Sequence, residues 1–277
     1  MERHATKLVA ALLVLISTRL GAADDISFRL ARKQFVIVPV LVNGQGPYEF
    51  LLDTGSTTSV VDRKLTKELG LKPLQETVIR TASGTERVPI ARVHQIDVGS
   101  QSTQTVLVLC SKMDGVRSLD KNIRGILGFN FLSRFRYTLN YKKKTLRFED
   151  AGAREGTRVP FDASGRSIVL AADGLRLLLD TGATSVFLFH GDGLDIEMNA
   201  RAIRRVSTNN GHRVTKSGRL RRLVIGDESF ERVPVTLMPQ TRLEENADGL
   251  VPGTLFESIY IDHENEFVVL NPDDEQL

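Results

Sequence analysis

Two aspartates in this chain sit in the same surroundings. Asp53 lies within F-L-L-D-T-G-S-T-T-S-V-V (Phe50 to Val61), and Asp180 lies within L-L-L-D-T-G-A-T-S-V-F-L (Leu177 to Leu188). Each follows a short apolar run, the pattern of a strand buried on both faces. A carboxylate at that point stands at the edge of a core, where an unpaired charge is costly. Gly55 and Gly182 follow two residues later, where a sharp turn or a close backbone approach needs a residue without a side chain. Thr54 and Thr181 each bring one donor and two acceptor lone pairs, enough to tie a buried turn together. Two such carboxylates brought face to face cannot both ionise cheaply, so they would share one proton. The pair would then hold a general base and a general acid at once.

A single D-T-G is an ordinary strand-ending turn with an Asx-type hydrogen bond. Two copies with matching leaders and matching tails signal repeated structure. The paired motif resembles the aspartic peptidases. It is pepsin-like in having two lobes on one chain and retropepsin-like in detail. The resemblance spans roughly residues 28–270. It implies an all-β fold: two similar β-barrel-like lobes related by an approximate twofold axis, with the cleft between them and a few short helices. It implies Asp53 and Asp180 as a dyad that activates a water for attack on a peptide carbonyl, without metal or cofactor. Coupled carboxylates of this kind are a general pattern for that family. Thr54, Gly55, Ser56, Thr181, Gly182 and Ala183 become the supporting catalytic loops, with the two threonines cross-linking them. Ser56 offers a hydroxyl to Asp53 that Ala183 cannot offer to Asp180, so Asp53 is expected to ionise the more readily.

The elements that must position these residues can be read around them. Val36 to Val42 is apolar, Asn43 to Pro47 is a turn, and Tyr48 to Asp53 returns, so a hairpin delivers Asp53. Pro39 marks the first arm as an edge or a bulge. Residues 28–35 read as a first strand. Asp62 to Leu69 reads as a short helix that Asp62 can cap and Gly70 can end. Thr77 to Ile90 forms two strand-like arms around Ala82, Ser83 and Gly84, a hairpin tip. In the resemblance this tip is the substrate-binding flap, and without a tyrosine it is similar to the retropepsin kind. Ile96 to Leu109 gives two more strands around Gly99. Arg124 to Phe129 (R-G-I-L-G-F) resembles the apolar-apolar-glycine element beneath the catalytic loop. Phe131 to Phe135 suggests a helical turn, and a hairpin closes across Lys142 to Lys144.

The pattern then restarts. Residues 149–156 are a candidate linker. Ile168 to Ala171, Asp173-Gly174 and Leu175 to Asp180 repeat the delivering hairpin. A short helix is expected over Met198 to Arg205, and Asn209-Asn210-Gly211 stands where a second flap or a fixed hairpin would. Asp248 to Gly253 (D-G-L-V-P-G) occupies the place of R-G-I-L-G-F, with Pro252 where the first copy has Gly128.

Residues 1–23 read as a secretory signal: Arg3 and Lys7, an apolar run from Leu8 to Ile16, and Gly21-Ala22-Ala23 for cleavage. Nine apolar residues are too few to span a membrane. The expected division is therefore 1–23 signal peptide, 24–150 N-terminal lobe and 151–277 C-terminal lobe, in a protein exported to a periplasm or the medium. No stable membrane insertion is expected once the signal is cut. The formal net charge is +3 with scattered basic residues, which leaves no nucleic-acid footprint. Cys110 is the single cysteine, so no intrachain disulfide can form, and it reads as a buried small hydrophobe. The expected partner is a peptide or protein substrate in extended conformation, and two copies on one chain make a monomer sufficient.

The main alternative is an exported peptide-binding module of the same fold that is catalytically weak or inactive, for which Pro252 is the best argument. A homodimer with each lobe pairing across chains is unnecessary. The five histidines show no metal-ligand spacing, and no G-x-S-x-G marks a serine hydrolase.

Overall fold

A computed structural model describes residues 25–81, 84–149, 155–162, 166–208, 211–238 and 247–272. The expected signal peptide and most of the expected linker lie outside these. The N-terminal half contains β1 (Asp25–Ser27), β2 (Arg29–Ala31), β3 (Phe35–Val42), β4 (Gln45–Leu52), β5 (Val60–Asp62), β6 (Pro73–Thr81), β7 (Gly84–Val98), β8 (Gln101–Ser111), β9 (Ile123–Leu127), β10 (Arg136–Asn140) and β11 (Thr145–Glu149). Three short helices interrupt them: α1 (Arg63–Glu68), α2 (Asp114–Leu119) and α3 (Phe129–Leu132). The C-terminal half contains β12 (Thr157–Asp162), β13 (Val169–Ala172), β14 (Leu175–Asp180), β15 (Val186–Leu188), β16 (Ile196–Thr208), β17 (Gly211–Ile225), β18 (Glu228–Leu237), β19 (Gly249–Pro252), β20 (Ser258–Asp262) and β21 (Phe267–Leu270).

The two halves are wired alike. The first orders its strands β3-β4-β9-β5-β8-β7-β6, and an added β3–β7 pairing curls the sheet toward a barrel. The second runs β13-β14-β19-β15-β18-β17-β16, curled by β13–β17. The fold is therefore all-β with two similar lobes. A third group of strands, β1-β11-β10-β20-β21-β12, joins them. Within it β10 of the first half pairs antiparallel with β20 of the second, Thr138 opposite Tyr260. Each lobe thus donates its last hairpin to a shared sheet. That sheet buries Tyr137, Leu139, Ile259 and Ile261 completely.

Local chemistry explains the delivering hairpins. Asn43 and Gly44 have φ of 52° and 72°, and Asp173 and Gly174 have 48° and 79°. Those are the paired left-handed conformations of a tight two-residue hairpin turn. Pro39 fits for a simple reason. Pro39 pairs with Glu49 of β4, but on the other side of β3 strand β2 reaches only Ile37 and β7 starts only at Leu41, so Pro39 faces a gap there. Phe50, Leu51 and Leu52 are all buried, as a central strand requires.

Three expectations change. Residues 28–35 are not one strand, because the chain turns after Ala31 with Arg32 and Lys33 at positive φ. Met198 to Arg205 is strand, not helix. It belongs to β16, which pairs with β17 from Ile196 to Thr208 and takes up its extra residues in a bulge between Met198 and Ile203. The long ladder outweighs a modest local helix preference. Asp62 stands at the start of α1 but makes no capping bond. Its buried carboxylate lies 3.5 Å from Arg117 Nη1 and 3.4 Å from Arg124 Nε instead. Helix α2 and strand β12 have no counterpart in the sequence reading.

Candidate active site

Strands β4 and β14 end at the two aspartates, and each is flanked by a parallel strand from its own lobe. β9 runs beside β4 with Phe50 opposite Gly125, and β19 runs beside β14 with Asp180 opposite Pro252. The two D-T-G loops meet between the lobes. Thr54 Oγ1 donates to Leu179 O at 2.7 Å and accepts from the Thr181 N–H at 3.1 Å. Thr181 Oγ1 returns the same two bonds, to Leu52 O at 2.7 Å and from the Thr54 N–H at 3.1 Å. Both threonines are buried. Four reciprocal bonds of this kind define a local twofold relation directly under the dyad.

The glycines set the distance between the carboxyls. A Cβ on Gly55 would stand 2.7 Å from Asp180 Cγ, and one on Gly182 would stand 3.2 Å from Asp53 Cγ. Each glycine thus makes room for the other lobe's carboxylate. The Gly55 N–H donates to Asp53 Oδ1 at 3.0 Å, and the Gly182 N–H donates to Asp180 Oδ1 at 2.7 Å. The two side chains are half-buried at the cleft and hydrogen-bond each other. Desolvation raises both above the usual carboxylate range. Asp53 is raised further, first by burial and then by the neighbouring Asp180 charge. For Asp180, burial dominates, while the Gly182 N–H and the bond from Asp53 oppose it. The pair therefore shares one proton and titrates as a unit.

The hydroxyl behind the expected asymmetry is engaged elsewhere. Ser56 Oγ does not reach the Asp53 carboxylate. It donates to Thr58 O at 3.0 Å, closing its own loop.

A second reciprocal contact lies outside the threonine grip. Gln34, just before β3, donates from Nε2 to Thr184 O at 3.1 Å. Arg166, shortly before β13, donates from Nη2 to Thr57 O at 3.3 Å. Thr57 and Thr184 are equivalent residues of the two loops, so each lobe holds the other's loop from outside. Sequence reasoning missed both donors, because neither type nor spacing singles out Gln34 or Arg166.

Pro252 is compensated. In the first lobe the Gly128 N–H donates to Ser59 Oγ at 3.0 Å, and Asn130 Oδ1 accepts from Ser59 Oγ at 2.7 Å and from the Ser59 N–H at 2.8 Å. In the second lobe proline removes the donor, and the residue equivalent to Ser59 is the fully buried Val186, which removes the acceptor. The Gly128 donor and the Ser59 hydroxyl that accepts it are thus lost together. Pro252 itself sits at φ −73°, ordinary for proline.

The long hairpins β6–β7 and β16–β17 are paired to their tips. Thr81 lies opposite Gly84 and Thr208 opposite Gly211, so each hairpin closes through two residues. Of the expected flap, Gly84 opens β7, while Ala82 and Ser83 lie outside the described residues. Asn209 and Asn210 do so as well. Cys110 is buried, as expected. Among the described residues, no group of three or more His, Cys, Asp or Glu side chains is placed to hold a metal ion.

Comparison with known proteins agrees with this geometry. A family model described as aspartyl protease matches residues 38–131 and 172–253, well over half of the chain, with one D-T-G in each segment. The chain belongs to the aspartyl protease family. A retropepsin-like aspartic protease from Rickettsia conorii is similar at 17% identity, covering 47% of this chain and 92% of its own, with a TM-score of 0.35. At that score the likeness adds nothing to the assignment. A search among curated proteins returns no match.

Proposed function

We propose that the protein is an aspartic endopeptidase that hydrolyses peptide bonds with a water activated by the Asp53/Asp180 dyad. The observation that carries this is the reciprocal threonine grip, which holds two intact D-T-G loops with each glycine opening onto the other lobe's carboxyl. Asp180, ionised, takes a proton from the bound water as it attacks the carbonyl carbon. Asp53, protonated, hydrogen-bonds the carbonyl oxygen as it becomes tetrahedral. Breakdown returns a proton to the leaving nitrogen and leaves a new carboxyl terminus and a new amine.

The two long hairpins fit an extended peptide laid between them, adding its backbone to theirs as a strand. Residues 1–23 are consistent with export, and both lobes on one chain make a monomer sufficient for the site. With Pro252 compensated, no observation favours the inactive binding module.

The test is cleavage of a peptide library by the protein in oxygen-18 water. One labelled oxygen in each new carboxyl terminus, with no covalent enzyme adduct, is the expected result. Intact peptides across the acidic and neutral range, with the protein folded, would overturn the reading.

A further inference from the structure

The twofold relation breaks beneath Asp180. Asn140 and Asp262 hold equivalent places at the turns of the last hairpins. Asn140 Oδ1 accepts the Lys143 N–H at 2.7 Å, and Asp262 Oδ1 accepts the Asn265 N–H at 3.0 Å. The next residues, Tyr141 and His263, are therefore counterparts. His263 meets Phe129 edge-on, with ring centroids 5.2 Å apart. Tyr141 meets Gly253, the residue equivalent to Phe129. A Cβ at position 253 would collide with Tyr141 Oη and would stand 3.1 Å from Thr181 Cγ2. The tip of Tyr141 thus lies against the C-terminal catalytic loop, next to the Asp180–Pro252 strand pair. Its backbone N–H is tied to Glu257 O at 2.9 Å, and its ring packs edge-on against Phe28.

The Tyr141 hydroxyl is buried and has no hydrogen-bond partner among the described residues. Such a group is costly unless something favours its dipole. We propose that Tyr141 is a positioning residue for Asp180: its hydroxyl, lodged in the space that Gly253 leaves beside the C-terminal loop, presents its dipole to Asp180 from behind and favours the ionised form. The inference rests on the dyad reading above. Few other charges face this hydroxyl. Phe28 and Gly253 carry none, and the Glu257 side chain is exposed beside Lys142. Tyr137, on the same strand, is a phenol that burial drives up and keeps neutral. Burial also drives Tyr141 up, and the Asp180 charge adds to the rise. Asp180 is thus the group nearby whose charge changes in the working range. On the other side the matching pair is Phe129 against His263, neither of which carries a hydroxyl.

Tyr141→Phe keeps the volume and removes only the hydroxyl. The dyad carboxyls of wild type and variant would be titrated by carbon-13 NMR, assigned through Asp53→Asn and Asp180→Asn. The pH dependence of kcat/KM and thermal unfolding would be measured beside them. The lower step of the pair is expected to move up by about half a unit or more. The acid limb of kcat/KM should follow it, falling about threefold on that side, while the unfolding midpoint stays or rises. An unmoved or downward-shifted lower step would overturn the proposal. So would loss of cooperative unfolding, which would make the hydroxyl a folding contact. A wild type that cleaves nothing would sink the peptidase reading instead, and the NMR titration would still judge Tyr141.

Discussion

The loops around Asp53 and Asp180 are identical where they touch each other and different where they touch their own lobes. The threonine bonds match within a tenth of an ångström, and both glycines open onto the opposite carboxyl. Beneath them the first lobe uses a polar floor of Gly128, Ser59 and Asn130, and the second an apolar one of Pro252 and Val186. The chemistry needs two carboxyls at one distance, so the contacts that set the distance are duplicated. The floor needs only to leave no polar group unpaired, so donor and acceptor have changed together.

The largest effect should come from the dyad itself. Asp53→Asn and Asp180→Asn should each lower kcat by about a hundredfold to ten-thousandfold, the usual worth of a general acid or base. Stability should move the other way. A carboxyl whose folded pKa is raised stabilises the fold fully below its unfolded value of about 4, and that contribution is lost as pH rises through the folded value. Thermal unfolding at neutral pH should therefore show both variants at least as stable as wild type.

Next come the threonines. Thr54→Val and Thr181→Val should each cost about 2–4 kcal/mol in denaturant unfolding, because each leaves a buried N–H and a buried C=O of the other lobe without partners. Equal losses would sharpen the twofold picture, and a loss confined to one of them would break it.

The floors give an unequal pair. Gly128→Pro should cost about 3 kcal/mol or more, since it removes the donor to Ser59 and a Cβ there would lie 2.8 Å from Ser56 O. Pro252→Gly should cost under about 1 kcal/mol, mostly through the unfolded chain.

The contrast confined to acid pH is at the counterparts Tyr141 and His263. Burial pushes His263 down to about 4, and neither ring nitrogen has a hydrogen-bond partner among the described residues. A base whose folded pKa is depressed lets stability stand above its unfolded value of about 6.5 and fall as pH drops toward 4. His263→Phe should flatten that acid loss, by up to about 3 kcal/mol, leaving stability at pH 8 little changed.

What the chain spelled out and what it hid follow a physical division. The dyad, the delivering hairpins and the Gly125 element were legible because strand periodicity and D-T-G recur at a fixed interval. The Asn43-Gly44 and Asp173-Gly174 turns were legible because few residues tolerate their backbone. Met198 to Arg205 was misread because a bulge interrupts its alternation and the ladder to β17 is a non-local fact. Asp62 looked like a cap because Arg117 and Arg124 are distant in sequence. Ser56 looked like a partner for Asp53 because adjacency says nothing about hydroxyl direction. The Gln34 and Arg166 clasps, and Tyr141 beneath the opposite lobe's loop, depend on how the lobes dock.

The most direct test of the central claim is the pH dependence of kcat/KM for peptide cleavage by the wild type, with Asp53→Asn and Asp180→Asn measured beside it. One shared proton predicts a bell with two limbs for the wild type and loss of cleavage in both variants. A single-limbed profile, or near-full activity in either variant, would contradict a dyad built across the two lobes.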